Sequence, residues 1–335
     1  MPMITRVRPA FPGLALRGHR VQSSGASAGA AALRIGTRGS PLALAQAGQV
    51  RSRLAAAHGI AAERIVLEII RTTGDMIRDR PLAEAGGKGL FTKEIEEALI
   101  AGAIDLAVHS AKDMPTVLPG GLAIAAVLPR EDPRDVFISR KAKTLRELPP
   151  GAKVGTASLR RQALVLRARR DLAVVPMRGN VETRLRKLDA GEVDATLLAL
   201  AGLKRLGLQA AATALLPLDE FLPAVGQGVI AIEARADDAR TCALLAAVDD
   251  RDTAIALAAE RAFLAVLDGS CRTPIAGHAA VAAGRVAFRG LIAKPDGSET
   301  FETAREGPVA DAVALGADAG RELKSRAGAD FFAPV

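Results

Sequence analysis

Residues 33–54 read LRIGTRGSPLALAQAGQVRSRL. Leu33 to Thr37 alternates as a strand. Ser40 then caps a helix that Pro41 opens at its first turn, with Ala43, Leu44, Ala47, Val50 and Leu54 recurring at helical spacing. Strand, tight turn and helix in so short a stretch form the opening unit of an α/β layer.

The same alternation continues outward. Ile65 to Ile70 reads as a strand, Gly74 to Gly89 as a glycine-rich loop, Lys93 to Ala101 as a helix and Asp105 to His109 as a strand, which together predict a largely parallel sheet. Pro149, Pro150 and Gly151 punctuate the chain, and the scheme restarts: strand Lys153 to Thr156, helix Ser158 to Arg170, strand Leu172 to Pro176. A helix from Val181 to Ala190 follows, capped by Asn180 and stopped by Gly191. Strand Ala195 to Ala199 and helix Ala201 to Leu206 complete this second unit. Pro223 to Gly228 reads as a hinge before the strand Val229 to Ala234. From Asp249 the style changes to a long helix reaching Leu267, strands on either side of Gly284, a Pro295-Asp296-Gly297 turn and a last helix near Ala310 to Leu323. No internal sequence repeat is visible.

The chain has 335 residues, 49% of them hydrophobic, enough for two or three domains with real cores. Apolar runs such as Ala195 to Leu200 are too short to span a bilayer, so no membrane span is expected. Of the formal charge of +8, Arg6, Arg8, Arg17 and Arg20 supply four ahead of residue 33, leaving +4 for the body. Aromatics make up 3%, with no Trp and no Tyr, which removes the stacking residues that RNA and single-strand binders use. Small anions are therefore the expected partners for the charge, and nucleic acid is not. Two cysteines, Cys242 and Cys271, fit a reducing compartment with at least one free thiol. Residues 1–32 are acid-free and rich in Arg, Ser, Ala and Gly. That composition suits a disordered tail on a cytoplasmic protein or, as the alternative, a transit peptide to an organelle stroma or matrix.

Gly86-Gly87-Lys88-Gly89 lacks the spacing and the following Ser or Thr of a nucleotide P-loop. His19, His58, His109 and His278 are scattered, and the cysteines are 29 apart, so no metal site is expected. Arginine instead recurs where strands end and helices begin. Arg38 and Ser40 lie in the first such turn, and Thr156, Ser158, Arg160 and Arg161 in the corresponding later one. Arg178, Arg184 and Arg205 take similar positions. Helix N-termini favour anions, and guanidinium forks bind carboxylates in pairs. Each arginine alone reads as a solvated surface residue; it is the repeated placement at turns that points to a polyanionic ligand in a cleft between two α/β domains. Lys112 and Asp113 follow a buried strand at its C-terminal end, where such clefts bind ligands, but the residues alone read Asp113 first as a cap or turn before Pro115. Cys271 sits in the loop Gly269-Ser270-Cys271-Arg272-Thr273-Pro274, where a neighbouring cation can activate the thiol. It reads otherwise as a small buried hydrophobe.

Seven motifs then occur in order: Arg34 to Ala43, Gly86 to Phe91, His109 to Pro115, Arg130 to Asp135, Gly155 to Gln162, Arg178-Gly179-Asn180 and Leu222 to Gly228. In this sequence and order they resemble the signatures of the porphobilinogen deaminase (hydroxymethylbilane synthase) family, from about Leu33 onward. Ala111, where the family usually has Met or Leu, is a small departure. The resemblance implies two periplasmic-binding-protein-like α/β domains flanking a cleft, plus a smaller α+β C-terminal domain. The expected division is residues 33–130 with 226–248, residues 131–225, and residues 249–335.

It also implies a transferase of haem and porphyrin biosynthesis, acting as a monomer on the small molecule porphobilinogen. Cys271 would carry a covalent dipyrromethane cofactor that primes synthesis and is retained. Four porphobilinogen units would be added with loss of ammonia, and water would then release hydroxymethylbilane. Asp113 matches the catalytic aspartate. Arg38, Ser40, Lys112, Thr156, Ser158, Arg160, Arg161, Arg178, Arg184 and Arg205 match the binders of cofactor and substrate carboxylates, and Lys88 and Phe91 the active-site loop. The rival class is a non-catalytic anion-binding protein, which a free or buried Cys271 would favour.

Overall fold

The computed structural model describes residues 33–76, 89–267, 274–328 and 331; the reading of residues 1–32 lies outside them. The chain opens with β1 (Leu33–Thr37), α1 (Pro41–His58), β2 (Ile65–Ile69), α2 (Thr73–Met76), α3 (Lys93–Ile100), β3 (Leu106–Ser110) and β4 (Leu122–Val127). It continues through β5 (Asp135–Ser139), β6 (Lys153–Gly155), α4 (Leu159–Ala168), β7 (Ala173–Val175), α5 (Val181–Asp189), β8 (Ala195–Ala199), α6 (Leu200–Arg205) and β9 (Ala214–Leu215). Then come β10 (Ile230–Arg235), α7 (Ala239–Ala246), α8 (Arg251–Val266), β11 (Ile275–Ala282), β12 (Arg285–Ala293), β13 (Thr300–Pro308) and α9 (Ala312–Ala327). The caps read from the sequence are made: Ser40 Oγ accepts from Ala43 N, Ser158 from Arg161 N and Asn180 from Thr183 N.

The strands form two five-stranded sheets, ordered β2-β1-β3-β10-β4 and β7-β6-β8-β5-β9, and one three-stranded sheet, β11-β12-β13. The five-stranded sheets share one topology without sharing sequence. In the first, β1 runs parallel to β2 and β3, while β10 is antiparallel to β3 and β4. In the second, β6 runs parallel to β7 and β8, while β5 is antiparallel to β8 and β9. The sheets are therefore mixed rather than largely parallel. β10 and β5 each enter a sheet directly from the other domain, without the crossover helix that parallel pairing requires.

Each sheet-rich domain has its own core. Ile35, Val50, Leu54, Leu106 and Ile232 pack in the first, and Phe137, Val154, Val165 and Leu197 in the second. The small C-terminal domain packs α8 and α9 on its antiparallel sheet, with Phe263 and Phe288 rings 5.0 Å apart.

Two crossovers, residues 128–134 and 216–229, link the sheet-rich domains and run side by side. Arg130 Nε donates to the Gln227 carbonyl at 2.9 Å, and Glu131 N to the Gly228 carbonyl at 3.2 Å. Gly228 has φ +88°, and a Cβ there would lie 2.2 Å from the Glu131 carbonyl oxygen. Only glycine allows that approach. From α8, the fully buried Glu260 reaches both crossovers. It pairs with Arg130, accepts from Gly226 N at 2.6 Å, and holds its own domain through Ala279 N at 2.7 Å.

Candidate active site

Strand β3 carries the chain into the cleft. Gln46 of α1 is buried and donates to Ser110 Oγ at 2.8 Å, fixing the strand's end against the helix. A tight turn, Ala111–Asp113, follows, with both Lys112 and Asp113 exposed. Arg38, Ser40, Phe91, Ser110 and Asp113 line one small cavity of about 60 Å³. The Arg38 guanidinium carbon stands 4.2 Å over the Phe91 ring, a cation–π contact between the first turn and the end of the glycine-rich segment.

Across the cleft, α4 presents Arg160 and Arg161 in its first turn, and both are buried. Arg160 Nη2 binds Asp135 Oδ2 at 2.6 Å, and Arg161 Nη2 binds Asp135 Oδ1 at 2.8 Å. Burial alone would raise the Asp135 carboxyl pKa, but the two guanidiniums outweigh it and hold the group well below the usual carboxylate range. For Arg160 the balance reverses: burial lowers its pKa despite Asp135. Guanidinium titrates so high that it stays charged. Arg160 also donates to the Leu222 carbonyl at 2.7 Å. The Nε atoms of both arginines are buried with no partner.

Gln227 joins these groups to the β3 turn. Its amide donates to Asp135 Oδ1 at 2.9 Å and to the Pro133 carbonyl at 2.7 Å, and it accepts from Lys112 Nζ at 3.4 Å. Protein crowding lowers the Lys112 pKa to about 8, with Asp113 opposing the shift and Arg161 adding to it. The exposure of the side chain to solvent screens part of this. Burial lowers Arg184 to about 10, with Arg161 and Arg178 adding and Asp113 opposing. Lys112, Asp113, Arg161, Arg178 and Arg184 are thus electrostatic neighbours. Thr156 and Ser158 stand at the α4 N-terminus, where Thr156 Oγ1 accepts from Ser158 N at 3.1 Å.

Arg205 stands apart. It donates to the Gly228 carbonyl at 2.7 Å, and among the described residues the charge that acts on it is Glu131. It lines a different cleft. Lys88 and Cys271 lie outside the described residues. Asp135 and Gln227 were not singled out in the sequence, although one signal was present: an aspartate heading the fully buried strand β5 needs cations beside it.

A family profile described as "Porphobilinogen deaminase, dipyromethane cofactor binding domain" matches residues 33–243, and "Porphobilinogen deaminase, C-terminal domain" matches residues 254–325. The chain belongs to the porphobilinogen deaminase family. The porphobilinogen deaminase of Nitrobacter hamburgensis is 67% identical over 298 residues, 89% of this chain and 94% of that protein. That of Paracoccus denitrificans is 58% identical over 300 residues, 90% of this chain and 96% of that protein. A solved nutrient-binding protein from Burkholderia cenocepacia matches 66% of this chain and 93% of its own, at 16% identity and a TM-score of 0.41.

A porphobilinogen deaminase of this kind needs a site for a carboxylate-bearing dipyrromethane. The buried, unpartnered Nε atoms of Arg160 and Arg161, beside the crowded cations Lys112 and Arg184, fit such a group. All of these lie within the cofactor-binding part of the family.

Proposed function

We propose that the chain is a hydroxymethylbilane synthase, a transferase that condenses four porphobilinogen molecules head to tail with loss of ammonia and releases the linear tetrapyrrole by hydrolysis. The observation that carries this reading is an exposed carboxylate, Asp113, at the end of β3, set beside Lys112 and within electrostatic reach of Arg184, which Arg161 and Arg178 neighbour in turn. Family membership weighs against the rival, a non-catalytic anion-binding protein.

When bound, the dipyrromethane supplies the nucleophilic pyrrole carbon at which the chain grows, and we assign its thioether attachment to Cys271. The remaining work falls to side chains. Arg38, Ser40, Lys112, Thr156, Ser158, Arg160, Arg161, Arg178 and Arg184 hold acetate and propionate carboxylates, with Asp135 orienting the two buried arginines. We assign Arg205 to carboxylate binding at the neighbouring cleft, and Lys88 and Phe91, on the family resemblance, to the active-site loop. As ammonia leaves porphobilinogen, positive charge develops on its pyrrole, and the Asp113 carboxylate stabilises it. The same carboxylate oxygen accepts the α-proton after carbon–carbon bond formation and passes it to solvent.

The proposed division remains residues 33–130 with 226–248, residues 131–225 and residues 249–335, supported by strand membership of the three sheets. We place the protein in the cytoplasm as a monomer; among the described residues no helix is long and apolar enough to cross a membrane. The test is product analysis: purified protein given porphobilinogen should release one ammonia per molecule consumed and yield hydroxymethylbilane. Tight binding of porphobilinogen without ammonia release would overturn the reading.

A further inference from the structure

A second cleft, of about 630 Å³, opens between α1, the first crossover and the end of α6, and it shares no lining residue with the Asp113 cavity. Arg51, Arg53 and Arg205 line it together with one acid, Glu131. That acid is already taken, because Lys204 Nζ lies 2.7 Å from its carboxylate. Among the described residues neither Arg51 nor Arg53 makes an ion pair, and Arg51 Nε is buried without a partner. Arg205 is crowded enough to lower its pKa to about 10, with only Glu131 opposing.

Three guanidiniums around one space repel each other unless an anion joins them. The α1 dipole does not account for two of them, since its influence fades within the last turn and Arg51 and Arg53 precede that turn. The size is that of a small-molecule site, far larger than one inorganic phosphate needs. We propose that this cleft is a second anion site that takes a small organic molecule carrying two or more carboxylates.

The occupant bridges the domains. Arg51 and Arg53 belong to a helix packed on the first sheet, whereas Arg205 ends a helix packed on β8 of the second. A polycarboxylate held by both sides fixes the angle between the domains and slows any step that needs the cleft to open. It does so without occupying the Asp113 cavity.

The test uses the full chain in its turnover-competent form, citrate as probe, and the double variant Arg51→Gln/Arg53→Gln, which touches no residue assigned to catalysis. Calorimetric titration should show citrate binding to the wild type and a loss of at least about tenfold in the variant, the scale of one charge-assisted hydrogen bond. Turnover without citrate should be equal in the two proteins. Citrate should inhibit the wild type non-competitively against porphobilinogen and leave the variant unaffected. Equal citrate affinity in both proteins would overturn the proposal, as would purely competitive inhibition or the same effect from inorganic phosphate at matched ionic strength. Turnover in the absence of citrate reports separately on the catalytic assignment.

Discussion

Asp135 receives Arg160 on one carboxylate oxygen and Arg161 on the other, at 2.6 and 2.8 Å, inside a fully buried pocket at the start of β5. One internal carboxylate thus fixes the direction of two buried guanidiniums in the first turn of α4. It also cancels only one of their two charges, leaving the pair an anion receptor.

Asp135→Asn should destabilise the protein by about 3–5 kcal/mol, the cost of breaking a buried pair by removing one partner. The pH sign follows from the depressed carboxyl. Its folded pKa lies below the unfolded value, roughly 3.9, so its stabilisation is complete above that value and is lost as pH falls through the folded one. Urea unfolding of wild type and variant should differ most near neutrality and converge in acid. A constant difference down to the acid limit would contradict the pairing.

Glu260 joins the C-terminal domain to both crossovers through Arg130 and Gly226. Glu260→Ala should leave Arg130 buried and unpaired and detach the domains thermally. Scanning calorimetry should then resolve two transitions where the wild type shows a more concerted one. One undivided transition with unchanged Tm would show that the contact does not couple them.

Lys112 has a pKa lowered to about 8 and, on the proposed reading, binds a carboxylate in its charged form. Substrate KM should therefore rise on the alkaline side of about 8, as Lys112 loses its charge. Lys112→Arg stays charged throughout and should flatten that limb. An identical alkaline limb in the variant would assign it to another group.

The strand–turn–helix of residues 33–54 was legible because its cap, its Pro and its apolar spacing are local. The caps at Ser158 and Asn180 were legible for the same reason. β4, β5 and β9 leave little local signal: β5 is a short apolar run following a charged segment, and β9 has two residues. Mixed pairing was hidden because β10 joins β3 across more than a hundred residues of chain. At the candidate site, local turns bring Arg38 and Ser158 forward, whereas Asp113 reads locally as a cap and is a candidate only through the family resemblance. Gln227 and Glu260 act through partners remote in sequence, which single-chain patterns do not reveal.

Asp113→Asn keeps size and hydrogen bonding while removing the charge. With Tm unchanged, single-turnover consumption of porphobilinogen should fall by at least about a hundredfold, the lower range for losing a positioned electrostatic stabiliser. If Asp113 only capped the turn before Pro115, Asn would serve nearly as well and the rate would stay near wild type.

The most direct test of the whole account is intact-mass analysis with peptide mapping of the purified protein, before and after brief exposure to porphobilinogen. An adduct of two linked pyrrole units is expected on the peptide containing Cys271, growing by single pyrrole units on exposure. Turnover-competent protein with an unmodified Cys271, or with the adduct on Cys242, would contradict it.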